Sequence, residues 1–179
     1  LSDSKGGIYS KEGFDPELVM ECKKERGMIS GCYCVGSVCD SKLGKDITNE
    51  ELLELDVDVL ILAALENVIT KENAHKIRAK IILEMANNPI TEEADEILNQ
   101  KGAIVVPDIL ANAGGVIVSY FEMLQNIEGR KWRREEVFQK LEEYLGKAFN
   151  NVWEISQKHQ ISLRNSALLM ALNGLLEKF

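Results

Sequence analysis

The sequence contains no G-x-G-x-x-G run, so the glycine cradle that holds a dinucleotide's pyrophosphate is not encoded in these residues. Positive charge is outweighed: 21 Lys and Arg stand against 29 Asp and Glu for a formal net charge of −8, and the one dense basic cluster is Arg130-Lys131-Trp132-Arg133-Arg134. This excludes nucleic acid or an anionic membrane as the main partner, since both require a broad positive surface. No apolar run approaches the ~18 residues of a membrane span. No secretory leader is expected from these residues, and the chain opens on Leu1. Leu1-Ser2-Asp3 reads as the end of a strand that begins upstream, so a piece of a longer protein is expected. Histidine is rare, with two in the sequence, and neither it nor any lysine sits in a motif that would make it a catalytic base. The cysteines lack the paired C-x2-C arms of zinc sites. Cys32, Cys34 and Cys39 are spaced C-x-C-x4-C with no histidine nearby, so no metal is expected. Free thiols in a reducing cytoplasm, Cys22 included, are the expectation.

What is present is ordinary for a soluble globular protein. The 179 residues are 45% hydrophobic and 28% charged, enough for one good-sized core. Asp3 to Tyr9 reads as a strand end entering a glycine turn, and Asp15-Pro16-Glu17 starts a helix to about Arg26. Residues 27–47 read as irregular, and Thr48-Asn49-Glu50-Glu51 has capping-box spacing for a short helix through Leu55. Val57 to Leu62 reads as a strand, and Thr70 as the cap of a helix over 71–77. Lys80 to Leu83 is a second strand. A helix capped by Thr91 follows to Lys101, with Gly102 ending it. Ala103 to Val106 is a third strand. This β-α-β-α-β order predicts an α/β fold with a parallel sheet. Val137, Leu141, Leu145, Ala148, Val152 and Ile155 then form one apolar stripe on a helix over 134–158, and a last helix covers 163–177.

The organising stretch is Pro107 to Glu122. Beyond Asp108, read as an N-cap, it keeps helical rhythm for about four turns. Gly114-Gly115 costs roughly 1 kcal/mol per glycine in such a helix, a cost accepted where a ligand or another backbone must come close. Asn112, Val116 and Ser119 share one helical face. Each strand runs into small or amide residues: Ala63-Ala64-Leu65-Glu66-Asn67, then Glu84-Met85-Ala86-Asn87-Asn88-Pro89, then this stretch. Parallel strands align the three turns on one sheet edge, where open α/β sheets bind ligands. Asparagine suits a ribose or carboxamide better than acid–base chemistry. Asn67 and Asn88 also suit left-handed turns, and Ser119 alone could bond back to its own helix. Glu84 and Asp108 read as caps or backbone anchors, His75 and His159 as exposed, and Trp132 and Trp153 as packing residues.

Pro107 to Glu122, with Gln125-Asn126 after it, closely resembles the C-terminal domain of glutamate dehydrogenases. So do Ser2 to Tyr9, Ile47 to Asp58, Ala79 to Ile82 and Thr91 to Leu98. Leucine, phenylalanine and valine dehydrogenases share Asn112 to Val116, but the continuation Ser119-Tyr120-Phe121-Glu122 favours the glutamate branch. The resemblance implies NAD(P)-dependent deamination of L-glutamate to 2-oxoglutarate and ammonia by a cytoplasmic homohexamer. It implies a Rossmann-like sheet over 1–127, lacking its first βα unit, and a C-terminal helical segment over 128–179. Asn112, Val116 and Ser119 would line the glutamate pocket, and Ala63, Ala64 and Asn87 would contact the nicotinamide half. Asp3 would bond the adenosine ribose, which favours NAD, with NADP left open by Lys5. The family's catalytic lysine and aspartate match no position here. Met85 and Asn88 depart from the family's usual glycines, as do Ile90, Met123 and segment 31–43 from its pattern. A branched-chain or aromatic amino-acid dehydrogenase, or a non-catalytic binding module, are the alternatives.

Overall fold

The computed structural model describes residues 1–33 and 44–176, and the chain divides into two compact units, Leu1–Asp56 and Val57–Phe179.

The first unit is built on an antiparallel sheet. Strand β1 (Ser2–Asp3) forms a hairpin with β2 (Gly6–Tyr9), and β3 (Lys45–Ile47) pairs on the other side of β2. The hairpin turn needs Gly6, whose φ is +131°, a region that side chains rarely enter. The strand end read from Asp3 to Tyr9 is therefore a complete hairpin, and residues 27–47 are not wholly irregular because β3 lies among them. Helix α1 (Pro16–Arg26) starts where the Asp15 carboxylate accepts the Glu17 and Leu18 N–H groups. It stops at Gly27, which is left-handed. The expected capping box starts α2 (Asn49–Leu53): Glu51 N donates to Thr48 Oγ1 at 3.0 Å and Thr48 N to Glu51 Oε2 at 2.8 Å. Ile8, Val19 and Ile29 form the core here, with Phe14, Cys32 and Tyr33 packed against it.

The free-thiol expectation fails at two positions. Cys22 and Cys32 are joined by a disulfide. Gly27 reverses the chain after α1, and the return segment brings the two Cα atoms to 5.7 Å, within disulfide reach. Composition carries no sign of that reversal. Cys34 and Cys39 lie outside the described residues.

The second unit holds the expected parallel sheet, in the order β4 (Val59–Leu62), β5 (Ile81–Glu84), β6 (Ile104–Val106). Leu60, Leu62, Ile82 and Val105 are buried, whereas Val59, Ile61, Ile81 and Ile104 alternate with them and are exposed. Helix α3 (Glu92–Gln100) buries Ala94 and Leu98. Thr91 stands at its N-cap, but the hydroxyl makes no capping bond there. The helix expected over 71–77 shrinks to a 3-10 turn, Ala74–Lys76. Asn73 explains this: its side chain accepts from Thr70 N and donates to Val68 O, holding a turn in competition with the helix. Lys101 Nζ closes that turn from below on the Ala74, His75 and Ile77 carbonyls at 2.7–3.3 Å.

Four helices follow β6: α4 (Asp108–Ala111), α5 (Gly114–Glu128), α6 (Arg134–His159) and α7 (Leu163–Leu176). The stripe from Val137 to Ile155 is the inner face of α6, every member buried or half-buried. Val152 joins Leu110, Leu163 and Ala167 in a core cluster that Val106, Ala148 and Met170 complete. Phe121 of α5 is 1% exposed. Its ring meets Tyr144 edge-on and Trp132 at a tilt, both at 5.4 Å. Among the described residues, no helix is long and apolar enough to cross a membrane. Phe121→Ala is expected to destabilise the protein by about 3–5 kcal/mol, read as a lowered urea midpoint. A change under about 1 kcal/mol would mean that this aromatic cluster does not hold α5 against α6.

Candidate functional site

The C-terminal ends of β4, β5 and β6 open onto one edge of the sheet, as parallel register requires. Two of the turns there are left-handed at asparagine, with φ +52° at Asn67 and +48° at Asn88. Their backbones are tied together, Asn67 N donating to Asn88 O at 2.9 Å. The third turn is where the sequence reading needs correction. A single helix capped by Asp108 is expected, but Pro107 is the N-cap, Asp108 is the first helical residue, and the helix breaks at Asn112 and Ala113. Asn112 leaves helical geometry because its amide turns sideways: Nδ2 donates to Asn87 Oδ1 at 2.7 Å and lies 3.5 Å from Met85 O. Asparagine's low helix propensity makes the break cheap.

The result is a cleft of about 790 Å3 lined by Ala64, Leu65, Glu66, Met85, Ala86, Asn87, Asn112, Gly115, Val116 and Ser119, a size that accommodates a small ligand or half a cofactor. A Cβ built on Gly115 would meet nothing within 4 Å, whereas one on Gly114 would touch Leu141 and Leu145 at 3.9 Å. Gly115 therefore leaves room in the cleft, and no internal contact demands it. The Asn87–Asn112 bond uses one acceptor and one donor, leaving the Asn112 carbonyl and the Asn87 amide for a ligand.

Beneath the cleft lies an ion cluster. Glu84 at the end of β5 is wholly buried. Its Oε1 accepts from Arg164 Nη2 at 2.6 Å, and its Oε2 from Asp108 N at 2.8 Å. Arg164 also reaches Asp95 Oδ1 at 3.3 Å and Asp108 Oδ1 at 3.6 Å. Asp108 Oδ2 in turn accepts from Asn88 N at 2.8 Å. Burial pushes the Glu84 carboxyl above its ordinary range, although Arg164 and the Asp108 N–H pull it down.

Five residues proposed from sequence meet in this cleft: Asn112, Val116, Ser119, Ala64 and Asn87. Ala63 is exposed at the end of β4, next to the lining. Asp3 lies in the first unit, where its Oδ1 accepts from Lys5 N at 2.9 Å and its Oδ2 from Ile29 N at 3.0 Å. Lys23 Nζ adds a 3.2 Å ion pair to Oδ2. The Lys5 N–H, then Lys23 and Ile29, hold the Asp3 carboxyl below the usual carboxylate range. Met85 and Leu65, which the sequence reading placed in the turns at this edge, are walls of the cleft; Arg164 as a partner of Glu84 was missed. No local pattern could have announced a pairing over 80 residues.

The model of the glutamate/leucine/phenylalanine/valine dehydrogenase family matches residues 1–178. The chain belongs to that family. It is 48% identical over 177 residues to the NADP-specific glutamate dehydrogenase of Synechocystis sp., covering 99% of this chain and 41% of the relative. A cryptic catabolic NAD-specific glutamate dehydrogenase of Bacillus subtilis is 44% identical over 178 residues, or 99% of this chain and 39% of its own length. Hetero-hexameric glutamate dehydrogenase from Thermus thermophilus, solved in a Leu-bound form, superposes with a TM-score of 0.83 at 32% identity, over 97% of this chain and 39% of that one. The chain thus spans about two-fifths of the length of these relatives. The resemblance stated from motifs and the α/β class are borne out.

A carboxyl whose native pKa is raised binds more protons folded than unfolded, so it favours folding at low pH and loses that contribution as pH rises from near 4.5 through the raised value. The unfolding free energy of the wild type relative to Glu84→Gln is therefore expected to fall as pH rises from near 4.5 toward neutrality. A difference that grew with pH would reverse this assignment.

Proposed function

We propose that the chain is the cofactor- and substrate-positioning part of an NAD(P)-dependent glutamate dehydrogenase, which deaminates L-glutamate oxidatively to 2-oxoglutarate and ammonia. The observation that carries this reading is the paired amides of Asn87 and Asn112 at the mouth of three parallel strands, beside Ala64, Ala86 and Gly115. A flat carboxamide ring needs such a setting: small residues for close approach, and one donor and one acceptor for its amide. The nicotinamide half of NAD(P) fits there, whereas the pyrophosphate has no glycine loop among these residues. When bound, the oxidised cofactor supplies the hydride acceptor for the amino acid's Cα. The chain's own residues orient. Ala63, Ala64 and Asn87 would flank the nicotinamide, and Val116 would form an apolar wall of the glutamate pocket. Asn112 and Ser119 would hydrogen-bond the amino acid, Ser119 at its side-chain carboxylate. None of these groups takes the proton from the ammonium, so the catalytic base belongs to the rest of the full-length protein.

In the first unit, Asp3 would take an adenosine ribose hydroxyl on the lone pair that Lys5 N leaves on Oδ1. A carboxylate there disfavours a 2′-phosphate, so NAD is the preferred cofactor; the relatives include both NAD- and NADP-specific enzymes. Residues 1–127 would form the partial dinucleotide-binding domain and 128–179 its helical continuation. The whole protein is read as a cytoplasmic homohexamer; hexameric assembly occurs in a related structure.

Full-length protein is expected to form NAD(P)H with glutamate. Asn112→Ala and Ser119→Ala should each lower kcat/KM by tenfold to a hundredfold, the equivalent of about 1.4–2.7 kcal/mol of lost transition-state binding. Wild-type rates in both variants would overturn the site. The isolated 179 residues are expected to show no turnover and no micromolar NAD binding by calorimetry; such binding would contradict the assignment of the pyrophosphate cradle to residues outside this chain.

A further inference from the structure

None of Arg164, Glu84 and Asp108 lines the cleft, yet their hydrogen bonds lead to Asn88, the neighbour in sequence of the lining residue Asn87. Arg164, at the start of α7, gives Nη2 to Glu84 Oε1 at 2.6 Å. The other oxygen of Glu84 holds the Asp108 N–H at 2.8 Å. The Asp108 carboxylate holds the Asn88 N–H at 2.8 Å, which secures a turn whose φ of +48° an asparagine adopts only at some cost. Asn88 follows Asn87 directly, and Asn87 Oδ1 anchors the Asn112 amide at 2.7 Å. Arg164 is suited to the first link in a way lysine is not. Its planar fork serves Glu84 and Asp95 with one nitrogen and faces Asp108 with another. Three carboxylates around one guanidinium leave the cluster net negative, so Glu84 has no other cation to fall back on in the cluster.

We infer that Arg164 is a positioning residue of the cleft: acting through Glu84 and Asp108, it sets the turn that presents Asn87 and, with it, Asn112. This rests on the reading that the cleft receives dinucleotide and amino acid, and it assigns to the C-terminal helix a part in their placement. Sub-ångström control of that kind matters because displacing positioning groups by about 1 Å can cost a hundredfold in rate.

The test uses the full-length protein with Arg164→Lys, Arg164→Met and Asp108→Ala, the last cutting the link to Asn88 while leaving Arg164 paired with Glu84. Activity is read per folded protein, alongside amide hydrogen exchange. Arg164→Lys and Asp108→Ala are expected to lower kcat/KM for glutamate about tenfold, and Arg164→Met about a hundredfold. Exchange at the Asn88 N–H should rise about tenfold relative to Leu83 in all three variants, and at Asp108 in the two Arg164 variants. A purely structural role would lower stability but leave kcat/KM per folded molecule and the relative exchange at Asn88 unchanged, and that outcome overturns the inference. A wild type that forms no NAD(P)H with glutamate sinks the functional reading instead, and the exchange pattern then decides the positioning role alone. Should Arg164→Met not fold, the other two variants carry the test.

Discussion

A carboxylate with no access to water is the constraint on which the second unit depends. Glu84 ends the central strand of the parallel sheet, and an ion there is tolerated only if its charge and both oxygens are satisfied. One oxygen is met by the guanidinium of α7 and the other by the first N–H of α4. The same solution therefore fixes where α7 docks and where the chain after β6 turns. The apolar cluster of Leu110, Val152, Leu163 and Ala167 supplies the bulk of the attraction between these helices. Hydrophobic contact is non-directional, however, and the ion cluster selects the register.

This arrangement keeps the ion cluster out of the cleft, whose one ionisable lining residue is the exposed Glu66. The net negative cluster lies below the turns, and what the turns present upward is amide and methyl: Asn87, Asn112, Ala64, Ala86. On the proposed reading, a carboxamide bound there would meet fixed dipoles instead of mobile counter-ions. On the same reading, proton transfer falls to residues of the full-length protein other than these.

The parallel sheet, its three turns at one edge and the amphipathic α6 were legible because each leaves a local trace. Short apolar runs end in Ala and Asn, and the stripe from Val137 to Ile155 repeats at helical spacing. Five of the seven proposed site residues share a cleft for the same reason: parallel strands of similar length bring equivalent turns together. What was not legible depends on partners distant in sequence or on competition between neighbours. The 3-10 turn at Ala74–Lys76 follows from Asn73 bonding across a turn, and the break at Asn112 from an amide drawn to Asn87. Neither propensity nor periodicity registers such bonds. The Cys22–Cys32 disulfide was missed because the Gly27 reversal that creates it has no composition signature. The hairpin of β1 and β2 was read as half of itself, since two residues are too few to carry an alternation.

The span between Glu84 and Arg164 also bears on the order of assembly. Their separation of 80 residues makes the pair one of the most non-local contacts in the second unit, and closing a loop of that length must precede any gain from the contact. β4, β5 and β6 pair through connections of some twenty residues each, so the sheet can form while Glu84 still has no cation. On a ribosome, the strands emerge well before α7 does. Until residue 164 arrives, the Glu84 carboxyl must stay hydrated or protonated, and the turns above it lack their anchor. The turns of the cleft thus gain this anchor only once α7 has been made, although the walls come from the middle of the chain.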